Sequence, residues 1–299
     1  MKTPENLKKG DKIAIVATAR KVNSDDIEFA VKLLESWELI PVIGKSIGLS
    51  NNQFAGSDQD RAEDFQTQIN NPDIKAIWCA RGGYGTVRIL DLLDFSKLEK
   101  SPKWIIGYSD ITALHSHLHN LNLKSLHAEM PAIIRQKYQE SAESLKNILF
   151  GKKPKYQWEN QNPLQRNGRA KGKLIGGNLS VLYSLCGSSS SLQTAGKILF
   201  LEDLDEYLYH IDRMMQNLKR NNWFENLNGL IIGGMTEMND NEIPFGKTAE
   251  EIIFDTVKNY DFPVCFDFPA GHIKDNRALI MGEEVILEVG DSLNSLSFQ

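Results

Sequence analysis

One segment of the chain pairs a nucleophile with a tight turn. In Trp104-Ile105-Ile106-Gly107-Tyr108-Ser109-Asp110 an apolar run stops at a glycine, and a serine follows just before a helical stretch at 112–123. A strand ending in a serine on a tight turn presents a hydroxyl beside a helix N-terminus, where oriented N–H groups favour developing negative charge. A serine hydroxyl is a weak nucleophile without a base to take its proton, and it can equally serve as a helix cap. Ser109 therefore implies chemistry only if a base and an orienting acid lie elsewhere.

Six histidines are available. His272 lies in Phe268-Pro269-Ala270-Gly271-His272-Ile273, a loop punctuated by Pro and Gly after a strand, where bases commonly sit. His115 and His119, four apart on one helical face, invite a zinc reading, but no glutamate completes a zincin motif between them. His127 lines a cleft or sits in the core, and His210 falls on a later helix. The acid candidates lie in Leu201-Glu202-Asp203-Leu204-Asp205-Glu206. Glu202 closes an apolar strand, where a carboxylate is costly to bury unless it accepts hydrogen bonds, for instance from an imidazole. Asp203, Asp205 and Glu206 also read as a solvated helix start.

A glycine turn, Arg81-Gly82-Gly83-Tyr84-Gly85, lacks the G-x-G-x-x-G spacing of a dinucleotide fingerprint. Bare glycines let backbone approach a ligand, so an N–H here could join that of Asp110 as an oxyanion hole. Arg81 is a candidate for holding a carboxylate in a two-pronged pair, or for a structural ion pair.

Strands at 12–17, 39–43, 74–79 and 104–107 alternate with helices at 24–37, capped by Ser24, at 58–70 and from 87 to 93. Such alternation implies parallel βαβ units in an open sheet, with ligands at the carboxyl ends of the strands. Residues 151–169 are polar with little periodicity and read as a linker. Beyond it come strands at 170–175, 198–201, 230–233 and 264–266 and in 279–296, and helices at 179–185, 207–218 and 249–260. This reads as a second α/β domain.

The 299 residues, 41% hydrophobic and 24% charged with net charge −5, form an ordinary globular composition. No basic run suggests nucleic acid, and no apolar stretch approaches the roughly 20 residues that span a bilayer. Met1–Gly10 lacks an apolar core, so no signal peptide is expected and the cytoplasm is the default location. Cys79, Cys186 and Cys265 are too scattered for a disulfide framework and read as buried thiols.

Several segments together resemble the LD-carboxypeptidases, the serine peptidases that include muramoyltetrapeptide carboxypeptidase and microcin-immunity proteins. They are Asp60-Arg61-Ala62-Glu63-Asp64, Ala76–Gly85, Gly107-Tyr108-Ser109-Asp110, Gly176-Gly177-Asn178-Leu179, Leu201-Glu202-Asp203 and Gly271-His272. They occur in family order over essentially the whole chain. The resemblance implies an α/β fold: an N-terminal open parallel-sheet (flavodoxin/Rossmann-like) domain, 1–150, a linker, 151–172, and a C-terminal α/β domain, 173–299, with the active site in the cleft between domains. It implies a triad of Ser109 as nucleophile, His272 as base and Glu202 as acid, with Glu206 the fallback. Asp110 and Gly82 or Gly83 would supply the oxyanion hole, and Arg81, Tyr84 and Glu206 would contact substrate. No metal or organic cofactor is expected.

The activity implied is release of terminal D-alanine from a murein tetrapeptide in peptidoglycan recycling, by a homodimer that binds neither nucleic acid nor membrane. A detoxifying peptidase acting on a peptidyl-nucleotide antibiotic is the alternative within the family. An α/β-hydrolase is disfavoured because Ile111 replaces the last glycine of G-x-S-x-G. A non-catalytic peptide-binding protein would leave Ser109 inert to serine probes. One departure is His127-Ala128-Glu129-Met130-Pro131, where the family often has a His-Gly-Pro-Met type segment. The added Glu129 bears on substrate preference more than on mechanism.

Overall fold

The computed structural model describes residues 1–299 and divides into two compact units. The first comprises Met1–Lys152 and Lys274–Met281, the second Lys153–Ile273 and Gly282–Gln299.

The first unit opens with β1 (Lys12–Val16), α1 (Ser24–Ser36), β2 (Ile40–Ile43), α2 (Asp58–Asn70) and β3 (Ile74–Cys79). It continues through α3 (Ser96–Lys100), β4 (Trp104–Gly107), α4 (Thr112–Asn120), β5 (Ser125–His127) and α5 (Gln139–Leu149). The second unit starts with β6 (Lys155–Glu159), β7 (Gly168–Asn178), α6 (Leu179–Leu185), β8 (Lys197–Leu204) and α7 (Leu208–Arg220). After β9 (Gly229–Thr236), α8 (Ala249–Val257) and β10 (Val264–Cys265), the chain returns to the first unit for β11 (Leu279–Met281). It ends in the second with β12 (Glu284–Val289) and β13 (Leu293–Phe298).

Strands β1, β3 and β4 are near-continuous apolar runs because helices cover both sheet faces. The first sheet runs β11-β5-β4-β3-β1-β2, parallel except for β11. The order 2-1-3-4-5 is flavodoxin-like, and its switch point falls between β1 and β3. The loops after these two strands, which hold Arg20 and the 81–85 turn, thus flank the place where ligands bind in such sheets.

The second sheet runs β10-β9-β8-β7-β12-β13-β6. Its β10-β9-β8-β7 half is parallel and its β7-β12-β13-β6 half antiparallel. Leu199, Leu201, Ile211, Met214 and Ile253 are among the residues of its core.

Local sequence sets the helix ends. Ser57 accepts from the Asp60 N–H while Asp60 accepts from the Ser57 N–H, the reciprocal capping box that opens α2. Asn23 rather than Ser24 caps α1: it is extended, and the Asp26 carboxylate reaches back to its N–H at 2.8 Å. The helix expected from 87 is instead two 3-10 turns, Thr86–Arg88 and Leu90–Leu92.

The stretch read as a linker, 151–172, contains β6 and the start of β7. It reads as polar because β6 alternates strictly: Tyr156 and Trp158 are buried while Lys155, Gln157 and Glu159 face water. Trp158 packs edge-on to Phe268 at 4.9 Å and donates from Nε1 to the Phe266 carbonyl at 2.9 Å. No helix is long and apolar enough to cross a membrane.

Candidate active site

Strand β4 delivers Tyr108 in an extended conformation (φ −151°) and then Ser109 at φ +61°. A left-handed conformation is costly for a residue with a Cβ, and strain of this kind is stored at functional turns. Ser109 starts a 3-10 turn, Ser109–Ile111, while Ile111 occupies the N-cap position of α4. Ser109 therefore does not cap α4. Gly107 is required by packing, since a Cβ there would stand 2.7 Å from Ile111 Cγ1.

The glycine turn lies directly against this serine. A Cβ on Gly82 would come 3.1 Å from Ser109 Cβ and 3.2 Å from its Oγ. Gly83 has φ +105°, and a Cβ there would meet the Arg20 side chain at 2.5 Å. Arg20 thus lies over the turn from the β1 loop, as the switch point between β1 and β3 dictates. Tyr84 is about half exposed and packs near Phe54, and Arg81 is exposed. Side chains of the Asp60–Asp64 motif hold the neighbouring loops after β2. Arg61 is buried, pairs with Asp58 and lies 4.8 Å over the Phe54 ring. Asp64 accepts from the Ser46 N–H at 2.8 Å and from its hydroxyl at 2.5 Å.

In the second unit Glu202 is fully buried near the end of β8, at an irregularity in the β8–β9 register. Its Oε2 accepts from His272 Nδ1 at 2.6 Å and from the His272 N–H at 3.2 Å. A bond from Nδ1 fixes the ring and leaves Nε2 as the nitrogen for proton transfer. The loop holding His272 is pinned by the Gly234 N–H to the Ala270 carbonyl at 3.0 Å and by the Thr236 hydroxyl to the His272 carbonyl at 3.3 Å. Glu206 pairs with His210 Nδ1 at 2.6 Å.

Asp203 is buried rather than solvated. It accepts from Asn178 Nδ2, the Ser180 N–H and the Leu204 N–H at 2.8–2.9 Å. Burial, then repulsion from Glu202, pushes its carboxyl up to about 7. The Gly176-Gly177-Asn178-Leu179 motif is thereby explained: Gly176 lets β7 meet the Phe200 carbonyl, which a Cβ would approach to 1.9 Å, and Asn178 ties Asp203 to the start of α6.

His115 is buried with both ring nitrogens engaged, Nδ1 with Ser125 Oγ and Nε2 with the Gly107 carbonyl, each at 2.8 Å. These bonds occupy the nitrogens that a zinc site shared with His119 would need. His127 is buried 5.7 Å from the Tyr108 ring. Glu129 is buried too, accepting from the Met130 N–H at 2.9 Å and Asn276 Nδ2 at 3.0 Å and pairing with Lys137 at 3.2 Å. Cys79 and Cys265 are buried, but Cys186 is only partly so, against the expectation for all three.

Sequence reading missed Arg20, the Asp110 carboxyl and the Asn178–Asp203 support. The flavodoxin-like strand order was the one available signal for Arg20.

A serine on a strained strand-to-helix turn, together with a buried glutamate bonded to a histidine, is the equipment of a serine hydrolase. Models of the LD-carboxypeptidase N-terminal and C-terminal domains match residues 13–128 and 171–287, and the chain belongs to the LD-carboxypeptidase family of serine-type hydrolases. A probable murein peptide carboxypeptidase of Bacillus subtilis is 31% identical over 96% of this chain and 92% of its own length. The microcin C7 self-immunity protein of Escherichia coli is 25% identical over 86% of this chain and 84% of its own. The solved muramoyltetrapeptide carboxypeptidase of Oxalobacter formigenes superposes with a TM-score of 0.87 at 25% identity, covering 96% and 98% of the two chains.

Proposed function

We propose that this enzyme removes the terminal D-alanine from a muramoyl tetrapeptide, cutting the amide between an L-centre and a D-residue. The observation that carries the reading is the buried Glu202–His272 bond, because a carboxylate held on Nδ1 makes the imidazole a competent base. Similarity to proteins named for murein peptides and muramoyltetrapeptide supports the substrate class.

Ser109 attacks the scissile carbonyl while His272 Nε2 takes its proton. The N–H groups of Asp110 and of Gly82 or Gly83 receive the oxyanion. His272 then protonates the leaving amine of D-alanine, and water activated by the same ring releases the acyl-enzyme. Arg81 and Tyr84, exposed on the turn whose Gly82 lies against Ser109, are assigned to substrate, Arg81 to its terminal carboxylate. Glu206, bonded to His210, takes a binding rather than a triad role. Cytoplasmic location and a homodimeric state complete the proposal.

The test is release of D-alanine from purified muramoyl tetrapeptide. Wild type should release it and Ser109→Ala should not, with circular dichroism unchanged; release by Ser109→Ala refutes the assignment. A second reading, an immunity-type peptidase acting on a peptidyl-nucleotide, draws on the similarity to the microcin C7 self-immunity protein. Exposed Tyr207 and Tyr209, 5.6 Å apart in the second unit, offer an aromatic face for a base. Turnover of an aminoacyl sulfamoyl nucleoside with none of the tetrapeptide would favour it.

A further inference from the structure

The two groups of oxyanion donors sit on different loops. Asp110 N–H belongs to the turn after β4, and the Gly82 and Gly83 N–H groups belong to the turn after β3. The second turn is intrinsically loose, since Gly83 and Gly85 adopt φ of +105° and +143° and glycine is free to leave such conformations. Something must fix its distance from Ser109.

We propose that the side chain of Asp110 is a positioning residue that clamps the glycine turn and thereby sets the spacing of the oxyanion donors. Its carboxyl is buried, 3% exposed, and Oδ2 accepts from the Thr86 N–H at 2.8 Å. Thr86 is itself braced, its hydroxyl standing 2.9 Å from that of Thr18 in the β1 loop. The turn is therefore held at both ends. At its start the Ala80 N–H bonds the Val16 carbonyl at 2.7 Å, and at its finish the Thr86 N–H is bound by Asp110. Between these anchors Gly82 is pressed onto the Ser109 side chain. One residue then contributes twice, its N–H as donor and its carboxyl as the ruler for the other donor.

A buried carboxylate without an ion pair at contact distance is expensive, and burial raises the carboxyl of Asp110. The hydrogen bond to its carboxyl comes from Thr86, at the end of the glycine turn, so its cost serves that turn. The plain alternative is that Asp110 only caps the 3-10 turn that begins at Thr86.

The inference rests on the proposed oxyanion hole, and its readout does not depend on the substrate. The rate constant for labelling of Ser109 by a fluorophosphonate, whose phosphoryl oxygen enters the same hole, is measured for wild type, Asp110→Asn and Asp110→Ala, with Ser109→Ala as blank. Losing one oxyanion donor costs about 10²–10³ in rate, so Asp110→Ala should label about 100-fold more slowly. Asp110→Asn, which keeps one acceptor oxygen, should fall between it and wild type. With tetrapeptide, kcat should fall in the same order while KM moves less than about threefold, the signature of a lost transition-state contact. A cap with no catalytic role would lower the melting temperature and leave the labelling rate of the folded fraction unchanged, and that result overturns the proposal. If Asp110→Ala fails to fold, Asp110→Asn and Thr86→Val decide, and wild-type rates in both refute it. Wild type that labels at Ser109 but releases no D-alanine rejects the substrate reading instead, and the labelling ratio still judges the clamp.

Discussion

Glu202 and His272 are joined by a 2.6 Å hydrogen bond from Nδ1 to Oε2, with the carboxylate wholly buried. Glu206, four residues further on, is bonded to His210 instead. The two glutamates are chemically identical and are separated only by what each touches. In a serine triad, loss of the acid leaves the base in the wrong tautomer and costs about 10⁴ in kcat. Glu202→Gln should therefore lower tetrapeptide turnover by three to four orders of magnitude, and Glu206→Gln should change kcat by less than about tenfold. Steady-state rates of the two purified variants check this, and equal losses would overturn the proposed role of Glu202 as the acid.

Gly271 makes the pairing possible. It has φ +103°, and a Cβ on it would stand 2.7 Å from Glu202 Oε2 and 2.8 Å from Glu202 Cβ. Gly271→Ala should displace Glu202 and the His272 loop together, adding about 1–3 kcal/mol of backbone strain. The expected outcome is a clear fall in melting temperature with kcat reduced by at least about 100-fold, because misplacing a catalytic group by 1 Å already costs that much. Calorimetry and turnover on one preparation test both halves.

Much of this arrangement could be read from the chain because the relevant signals are local. Apolar runs ending at Gly107 and Glu202 announce buried strands, and the Pro and Gly around His272 announce a loop. Strand β6 escaped because its buried Tyr156 and Trp158 alternate with Lys, Gln and Glu, and five such residues resemble a polar connector. The strand signal at 279–296 reads as part of the second domain, and only pairing with β5 assigns Leu279–Met281 to the first unit. The same non-locality hid Arg20 and the Asp110 carboxyl. Their partners, Gly83 and Thr86, lie 63 and 24 positions away along the chain, and only the fold brings them together.

Thiol reagents should spare the enzyme. Burial pushes the Cys79 thiol up to about 12, and burial also raises those of Cys265 and Cys186. The thiolate is the reactive form, so buried thiols of this kind are inert. At pH 8 a disulfide-exchange reagent should label the native protein slowly, first at the partly buried Cys186, with D-alanine release unchanged. Three fast equivalents should appear only in denaturant. Inactivation in step with labelling of Cys79 would contradict the assignment of Ser109 as nucleophile.

Asp203 gives stability a predictable pH dependence. Its carboxyl titrates near 3.9 in an unfolded chain and about 7 in the folded one, chiefly through burial and then through Glu202. Between those values the folded protein binds the extra proton. This group's contribution is therefore complete below about pH 4 and is lost as pH rises through about 7. Asn178, Ser180 and Leu204 already direct donors at it, and they offset only part of the cost of the charge. Asp203→Asn removes the titration, so its unfolding free energy should fall less steeply than that of wild type from pH 5 to pH 8. Urea midpoints at both values decide the matter. Parallel curves for the two proteins would mean that Asp203 carries its charge in the fold at little cost.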